Sequence, residues 1–254
     1  MASVLISGAS EGIGLALATL HLQQGDTVIG LARHCPERLA QHDGFIFIKA
    51  DLSCLAQLEQ VIDSHQEVLT DAALDTVYLN AGITGNAPEL ASKVAHDEVT
   101  KVINVNALAN KLLLDALLAM PHRPQHVVVS GSIAGRRYRA GMLAYSMSKA
   151  ALEALCGVYA QEYPDVFFAV LGMCNVDTRL SHNIVNHPNV ELFPDHLRLQ
   201  QRFQMPGYVV SAAERAEDVY RIVHLEHCQQ LISGEFVEIR ALTKASNKHL
   251  VSAY

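Results

Sequence analysis

Long apolar runs are missing. No segment approaches the roughly 20 residues that a helix needs to cross a bilayer, so no membrane partner is expected. Basic excess is missing too. The net charge is −7, and neutralising nucleic-acid phosphates takes clustered lysine and arginine, so no nucleic-acid partner is expected. The one dense basic stretch is "RRYR", Arg136 to Arg139. The five cysteines (Cys35, Cys54, Cys156, Cys174 and Cys228) are odd in number, scattered, and without a C-x-x-C. That pattern fits reduced thiols in a cytoplasm better than a disulfide framework. The opening "MASVLISGAS" has no basic region before its apolar residues, so no secretory signal is expected. There are thirteen histidines but no H-E-x-x-H. His224 and His227 stand three apart on an expected helix, without a third ligand; they read as surface polarity and no metal is expected. Linkers, internal repeats and low-complexity tracts are absent, which predicts one domain over 1–254.

What is present is apolarity in a regular order. Half of the 254 residues are hydrophobic, enough for a sizeable core. Short apolar runs at 3–8, 27–32, 45–50, 75–80, 126–131, 166–172 and 235–241 read as strands, most of them β-branched and nearly continuous in apolarity. Helical patterns lie between them near 12–24, 53–69, 97–119, 143–163 and 214–228. This alternation predicts an α/β fold: a doubly wound parallel sheet of about seven strands with helices on both faces. Residues 179–213 break the pattern with three prolines and three histidines. They read as an irregular flap over a site.

The first strand ends in "SGASEGIG", residues 7–14. Gly8, Gly12 and Gly14 stand between a strand and a helix, where glycine permits a tight turn and close approach to a pyrophosphate. The helix start adds free N–H groups. The spacing is G-x-x-x-G-x-G, not G-x-G-x-x-G. A tight turn without ligand is the alternative. At the end of the second strand an acid would bond a ribose 2′-hydroxyl and favour NAD. The run is instead "GLARH", with no acid and with Arg33 placed to pair with a 2′-phosphate. NADP(H) is therefore favoured over NAD(H), although Glu11 in the glycine loop argues the other way.

Tyr145 and Lys149 are four apart and share one face of a predicted helix. An ammonium beside a phenol favours the phenolate and lowers the tyrosine pKa from its usual value of about 10. Taken together, the glycine loop, "NAG" at 80–82, Ser132 thirteen residues before Tyr145, and Y-x-x-x-K at 145–149 resemble the short-chain dehydrogenase/reductase family. The resemblance runs from residue 3 to near 241. It implies a Rossmann-type domain with a catalytic tetrad of Asn106, Ser132, Tyr145 and Lys149. In that reading Tyr145 exchanges a proton with the substrate oxygen, Ser132 hydrogen-bonds the same oxygen, Lys149 tunes Tyr145 and holds the nicotinamide ribose, and Asn106 holds a water in a proton path. The resemblance also assigns cofactor contacts to Ser7, Gly8, Ser10, Gly12, Ile13 and Gly14 of the loop, to Asp51 and Leu52 at the adenine, to Asn80, Ala81 and Gly82, and to Val176 and Thr178 at the carboxamide. It implies a homodimer or homotetramer built on the two long helices near 97–119 and 143–163.

Two departures stand out. Ser7 replaces a threonine and keeps its hydroxyl. Met173-Cys174 replaces the family's Pro-Gly, where the backbone nears the nicotinamide, and puts the local loop shape in doubt. The substrate is read from "GRRYRAGM", 135–142, which lies between Ser132 and Tyr145. Arg136, Arg137 and Arg139 either pair with a carboxylate or phosphate or form a basic surface or subunit contact. Tyr138 either walls the pocket or is surface. The sequence reading is thus an NADP(H)-dependent oxidoreductase that reduces a ketone or aldehyde to an alcohol by reversible hydride transfer, on a small carbonyl compound that is either neutral or anionic. An NAD-dependent alcohol dehydrogenase and a non-catalytic regulator on the same fold are the alternatives.

Overall fold

A computed structural model describes residues 1–243, so the last stretch of the domain expected over 1–254 lies outside the described residues. The strands are β1 (Ser3–Ser7), β2 (Thr27–Ala32), β3 (Phe45–Lys49), β4 (Thr76–Leu79), β5 (His126–Gly131), β6 (Phe167–Gly172) and β7 (Phe236–Glu238). They form one sheet in the order β3-β2-β1-β4-β5-β6-β7, and every pairing is parallel. Winding reverses between β1 and β4. The loops leaving the carboxyl ends of these strands diverge there and open a crevice, the usual ligand position of such sheets.

The helices are α1 (Gly12–Gln23), α2 (Leu55–Ser64), α3 (Gln66–Asp71), α4 (His96–Ile103), α5 (Ala109–Leu118), α6 (Leu143–Glu162), α7 (Arg179–Val185), α8 (Pro194–Phe203) and α9 (Ala212–Tyr220). The continuous apolar strands bury both faces. On one side Leu5, Val77 and Val129 meet Leu58 of α2, Leu113 and Leu117 of α5 and Leu152 of α6. On the other, Val4, Ile6 and Val128 meet Leu17 and Ala18 of α1 and Val219 of α9. Each such aliphatic side chain contributes about 1.5–3 kcal/mol on burial. That gain outweighs the weak local preference of strands for any one register.

Several expected elements differ in detail. The helix expected at 53–69 is broken at His65, whose φ of −114° and ψ of 15° leave the helical region. The helix expected at 97–119 carries a π-helical stretch, Asn104–Leu108, between α4 and α5. The expected 214–228 helix begins earlier because Ser211 and Glu214 form a capping box, and it ends in a second π-helical stretch, Arg221–Leu225. The last strand stops at Glu238, and 239–243 are helical. Residues 179–213 are not irregular: they fold into α7 and α8. Thr178 caps α7 by accepting the Ser181 N–H, and Pro194 occupies the first turn of α8, where its missing N–H costs nothing.

His224 is also not surface polarity. It turns inward to the buried Tyr78 hydroxyl at 2.8 Å, which lies 2.8 Å from His21 Nε2 in turn, while His21 Nδ1 stands 2.8 Å from Asp26. Asp26 accepts, so His21 carries its hydrogen on Nδ1 and takes the Tyr78 proton bond on Nε2; His224 Nε2 then donates to Tyr78. Desolvation and the neighbouring His21 and His126 lower His224 to about 4, which keeps this chain neutral. His227 is exposed. The described residues hold no group of three or more metal-ligating side chains, and no described helix is long and apolar enough to cross a membrane.

Candidate active site

A cavity of about 790 Å³ opens along the carboxyl ends of the strands, within the range that holds small molecules and cofactors. Its floor at β1 is the glycine loop. Gly8 sits at φ +73°, and a Cβ there would lie 2.9 Å from Ala81 Cα, so only glycine lets the loop pass over Ala81. Ser10, Gly12 and Ile13 line the wall where α1 begins. Its free N–H groups therefore face the cavity. Glu11, the acid that argued against a phosphate, is answered by Arg179 of α7 at 3.8 Å.

Two loop residues assigned to the cofactor lie outside the cavity lining and are held in packing contacts. Ser7 is fully buried; its Oγ accepts from the N–H groups of Asn80 and Ala81, both at 3.1 Å, and so ties β1 to the turn after β4. Gly14 does not line the cavity, and a Cβ there would stand 2.2 Å from Gly8 O. Glycine is needed there for the helix to pass against the loop. Asn80, Ala81 and Gly82 do line the cavity. Asn80 also laces the strand ends together, donating to Ser7 O at 3.3 Å and accepting from Ser130 Oγ at 3.1 Å.

Ser132, Tyr145 and Lys149 come together on one wall. Ser132 follows β5 and caps a short 3-10 turn by accepting the Ala134 N–H at 3.2 Å. Ser132 also acts on the Tyr145 phenol, opposing the rise that burial imposes on it. Lys149, one turn beyond Tyr145 on α6, is 5% exposed. Its Nζ donates to Ser130 O at 2.7 Å and stands 5.7 Å from the Tyr145 ring centroid. Burial brings this ammonium down to about 8. The expectation that Lys149 lowers the tyrosine is corrected here. Desolvation holds the Tyr145 phenol above its ordinary value, and the opposing effect comes from Ser132. The phenol is therefore protonated near neutrality, the form that gives a proton away.

Asn106 does not line the cavity. It lies in the π-helical stretch, fully buried. Its Oδ1 accepts from Ile83 N at 2.8 Å, and its Nδ2 donates to Ile83 O at 2.8 Å and Ser148 Oγ at 2.9 Å. It brackets the loop after β4 to the helix that carries Tyr145. Both amide hydrogens are used in these bonds, which gives the side chain a positioning role. The π-helical register, common at functional sites, is what turns it inward.

The remaining predicted residues divide. Arg33, exposed at the end of β2, and Asp51 and Leu52 after β3 line the far end. The Asp51 carboxylate accepts from Ser53 N at 2.9 Å and Ser53 Oγ at 2.7 Å, which lowers its pKa. Val176 and Thr178 line the opposite wall. Before them, Cys174 adopts φ +59°. The left-handed conformation that glycine would take without strain is thus kept by a cysteine. Arg137 faces the cavity, whereas Tyr138 next to it is 79% exposed and does not wall it. Arg136 is turned away onto Glu153 at 2.5 Å. The sequence reading missed Ser130, which anchors both Asn80 and Lys149, and His196 and Arg202 of α8. Ser130 was recoverable as the residue two before Ser132, which alternation puts on the same side of β5.

The residues fit a dinucleotide. The glycine loop is a cradle that Cβ atoms would fill, the helix start supplies N–H donors, and Arg33 and Lys149 supply charge at the two ends. A family model for short chain dehydrogenase matches residues 2–189, and the chain belongs to that family. An uncharacterized oxidoreductase of Schizosaccharomyces pombe is 30% identical over 250 residues, 92% of this chain and 95% of that one. A second one from the same yeast is 30% identical over 162 residues, and there the chain spans 63% of itself and only 60% of the relative. An NADPH-dependent pterin aldehyde reductase of Arabidopsis thaliana is 31% identical over 169 residues, 63% of this chain and 68% of that one. Among solved structures, a 3-ketoacyl-(acyl-carrier-protein) reductase of Brucella melitensis with NADH superposes with a TM-score of 0.74 at 23% identity, covering 93% of this chain and 96% of that one. That likeness speaks for the fold.

Proposed function

We propose that this oxidoreductase uses NADPH to reduce a ketone or aldehyde to an alcohol. The observation that carries the reading is the Ser132–Tyr145–Lys149 wall with its phenol held protonated, beside a cavity whose adenosine end offers Arg33 and no acid at the end of β2. The glycine loop, Asn80 to Gly82, Lys149 and Thr178 would hold the cofactor, and Arg33 would pair with its 2′-phosphate. Held there, the nicotinamide would supply the hydride that the carbonyl carbon takes up. Tyr145 gives its proton to the carbonyl oxygen. Ser132 hydrogen-bonds that oxygen as negative charge grows on it. Lys149 brings positive charge to the wall and fixes the end of β5 through Ser130. In the reverse direction the Tyr145 phenolate would take the proton back from the alcohol, so the same wall serves both directions.

Residues 179–213 serve as a substrate flap in this reading, since α7 and α8 both face the cavity. One domain, assembled through the helical stretches 97–119 and 143–163 as a homodimer or homotetramer in the cytoplasm, accords with the exposed Leu108, Met147 and Val158 and the free thiols. A Tyr145→Phe variant tests the mechanism. NADPH binding is retained and reductase turnover falls by about 100-fold or more; unchanged turnover would sink it.

A further inference from the structure

The substrate end of the cavity carries charge and an unmet hydrogen bond that carbonyl reduction alone does not use. Helix α8 turns His196, Leu199 and Phe203 to the cavity, one face at i, i+3 and i+7. His196 is 1% exposed. Its Nε2 lies 3.1 Å from Ala140 O. A carbonyl only accepts, so Nε2 carries the hydrogen and Nδ1 of the neutral ring is a bare lone pair. That Nδ1 is buried and has no partner. Burial and the nearby Arg139 lower the His196 pKa, so the ring stays neutral near pH 7. An unmet buried acceptor costs about 1–3 kcal/mol unless something donates to it.

Cations line the same cavity. Arg137 and Arg139, from the turn after Ser132, and Arg202 of α8 all line the cavity. Among the described residues none of the three has a carboxylate within 4.0 Å. The neighbouring Arg136 and Arg198 are paired by contrast, at 2.5 Å with Glu153 and 2.5 Å with Asp195. Asp195 is close enough to feel Arg137 and Arg139, but its Oδ1 is held by Arg198. Against a sequence charge of −7, three arginines without a carboxylate partner line one cavity, Arg137 and Arg202 exposed and Arg139 half-buried.

We propose that the substrate is an anionic hydroxy-carbonyl compound, with its carboxylate or phosphate on Arg137, Arg139 and Arg202 and a hydroxyl donating to His196 Nδ1. The proposal rests on the reductase reading for the placement of the carbonyl at Tyr145 and Ser132. Leu199 and Phe203 are the apolar side chains that α8 adds to the cavity lining.

Three related probes test it with NADPH: hydroxypyruvate, dihydroxyacetone phosphate and uncharged dihydroxyacetone. At least one charged probe should exceed the neutral one in kcat/KM on the order of 100-fold. Which charged probe leads tells carboxylate from phosphate. The double variant Arg137→Ala, Arg139→Ala should collapse that ratio, mainly through KM, and His196→Phe should raise KM for the hydroxylated probes. Equal use of all three, or a ratio unmoved by the arginine variants, overturns the proposal. If none is reduced, thermal shift with the charged probes separates the two ideas. A shift lost in the arginine variants keeps the anion site and counts against the reductase reading, whereas no shift overturns the anion site.

Discussion

Replacing Lys149 by methionine should stabilise the fold while abolishing turnover. The ammonium is 5% exposed, and desolvation brings it from 10.5 to about 8. Holding it charged in the folded state at pH 7 therefore costs on the order of 3 kcal/mol relative to the unfolded chain. Methionine fills a similar volume without charge. Against this gain stands the bond from Nζ to Ser130 O at 2.7 Å. Losing it leaves a buried acceptor unmet, at about 1–2 kcal/mol. The balance favours Lys149→Met by about 1–2 kcal/mol, or roughly 2–8 °C in melting temperature for a chain of this size. The sign with pH is specific. The folded pKa lies below the unfolded one, so between about pH 8 and 10.5 the unfolded state binds more protons and wild-type stability gains from this group as pH rises. The advantage of the variant should thus shrink across that window. Calorimetry of both proteins from pH 7 to 10.5 measures it. A variant that melts below wild type at pH 7, or a difference that grows with pH, would refute the reasoning.

Other outcomes follow from the same geometry. Asn106→Leu removes three hydrogen bonds from a fully buried side chain and should cost roughly 3–5 kcal/mol by denaturant titration; a loss under about 1 kcal/mol would show that the bracket to Ile83 and Ser148 is slack. Cys174→Gly should be neutral or stabilising by up to about 1 kcal/mol, because glycine takes a positive φ freely. Cys174→Val, with a branched Cβ at φ +59°, should destabilise by about 2 kcal/mol. The reverse order in thermal melts would mean that the backbone there relaxes. Arg33→Ala should weaken NADPH about tenfold and leave NADH binding nearly unchanged.

The strands were legible because both faces are buried, so apolar β-branched runs such as "HVVVSG" carry the signal without context. Gly8, Ser132, Tyr145 and Lys149 were legible because their spacing fixes their place at strand ends and on one helix face. What failed needed three dimensions. Ser7 and Gly14 sit in the glycine loop but turn toward β4 and β1, which spacing alone does not reveal. Asn106 turns inward through a π-helical register that no periodicity of 3.6 anticipates. Helix α8 was hidden by polarity and prolines, although Pro194 followed by Asp195 is itself a helix-start signal. With α8 went His196 and Arg202. The tyrosine pKa went the wrong way because sequence spacing shows a lysine one turn away but not the burial that outweighs it.

The most direct test of the account is fluorescence titration of the purified wild-type protein with NADPH and NADH. NADPH should bind tighter by at least about tenfold, or about 1.4 kcal/mol, with the difference lost in Arg33→Ala. NADH binding as tightly or more tightly, or neither nucleotide binding at all, would contradict it.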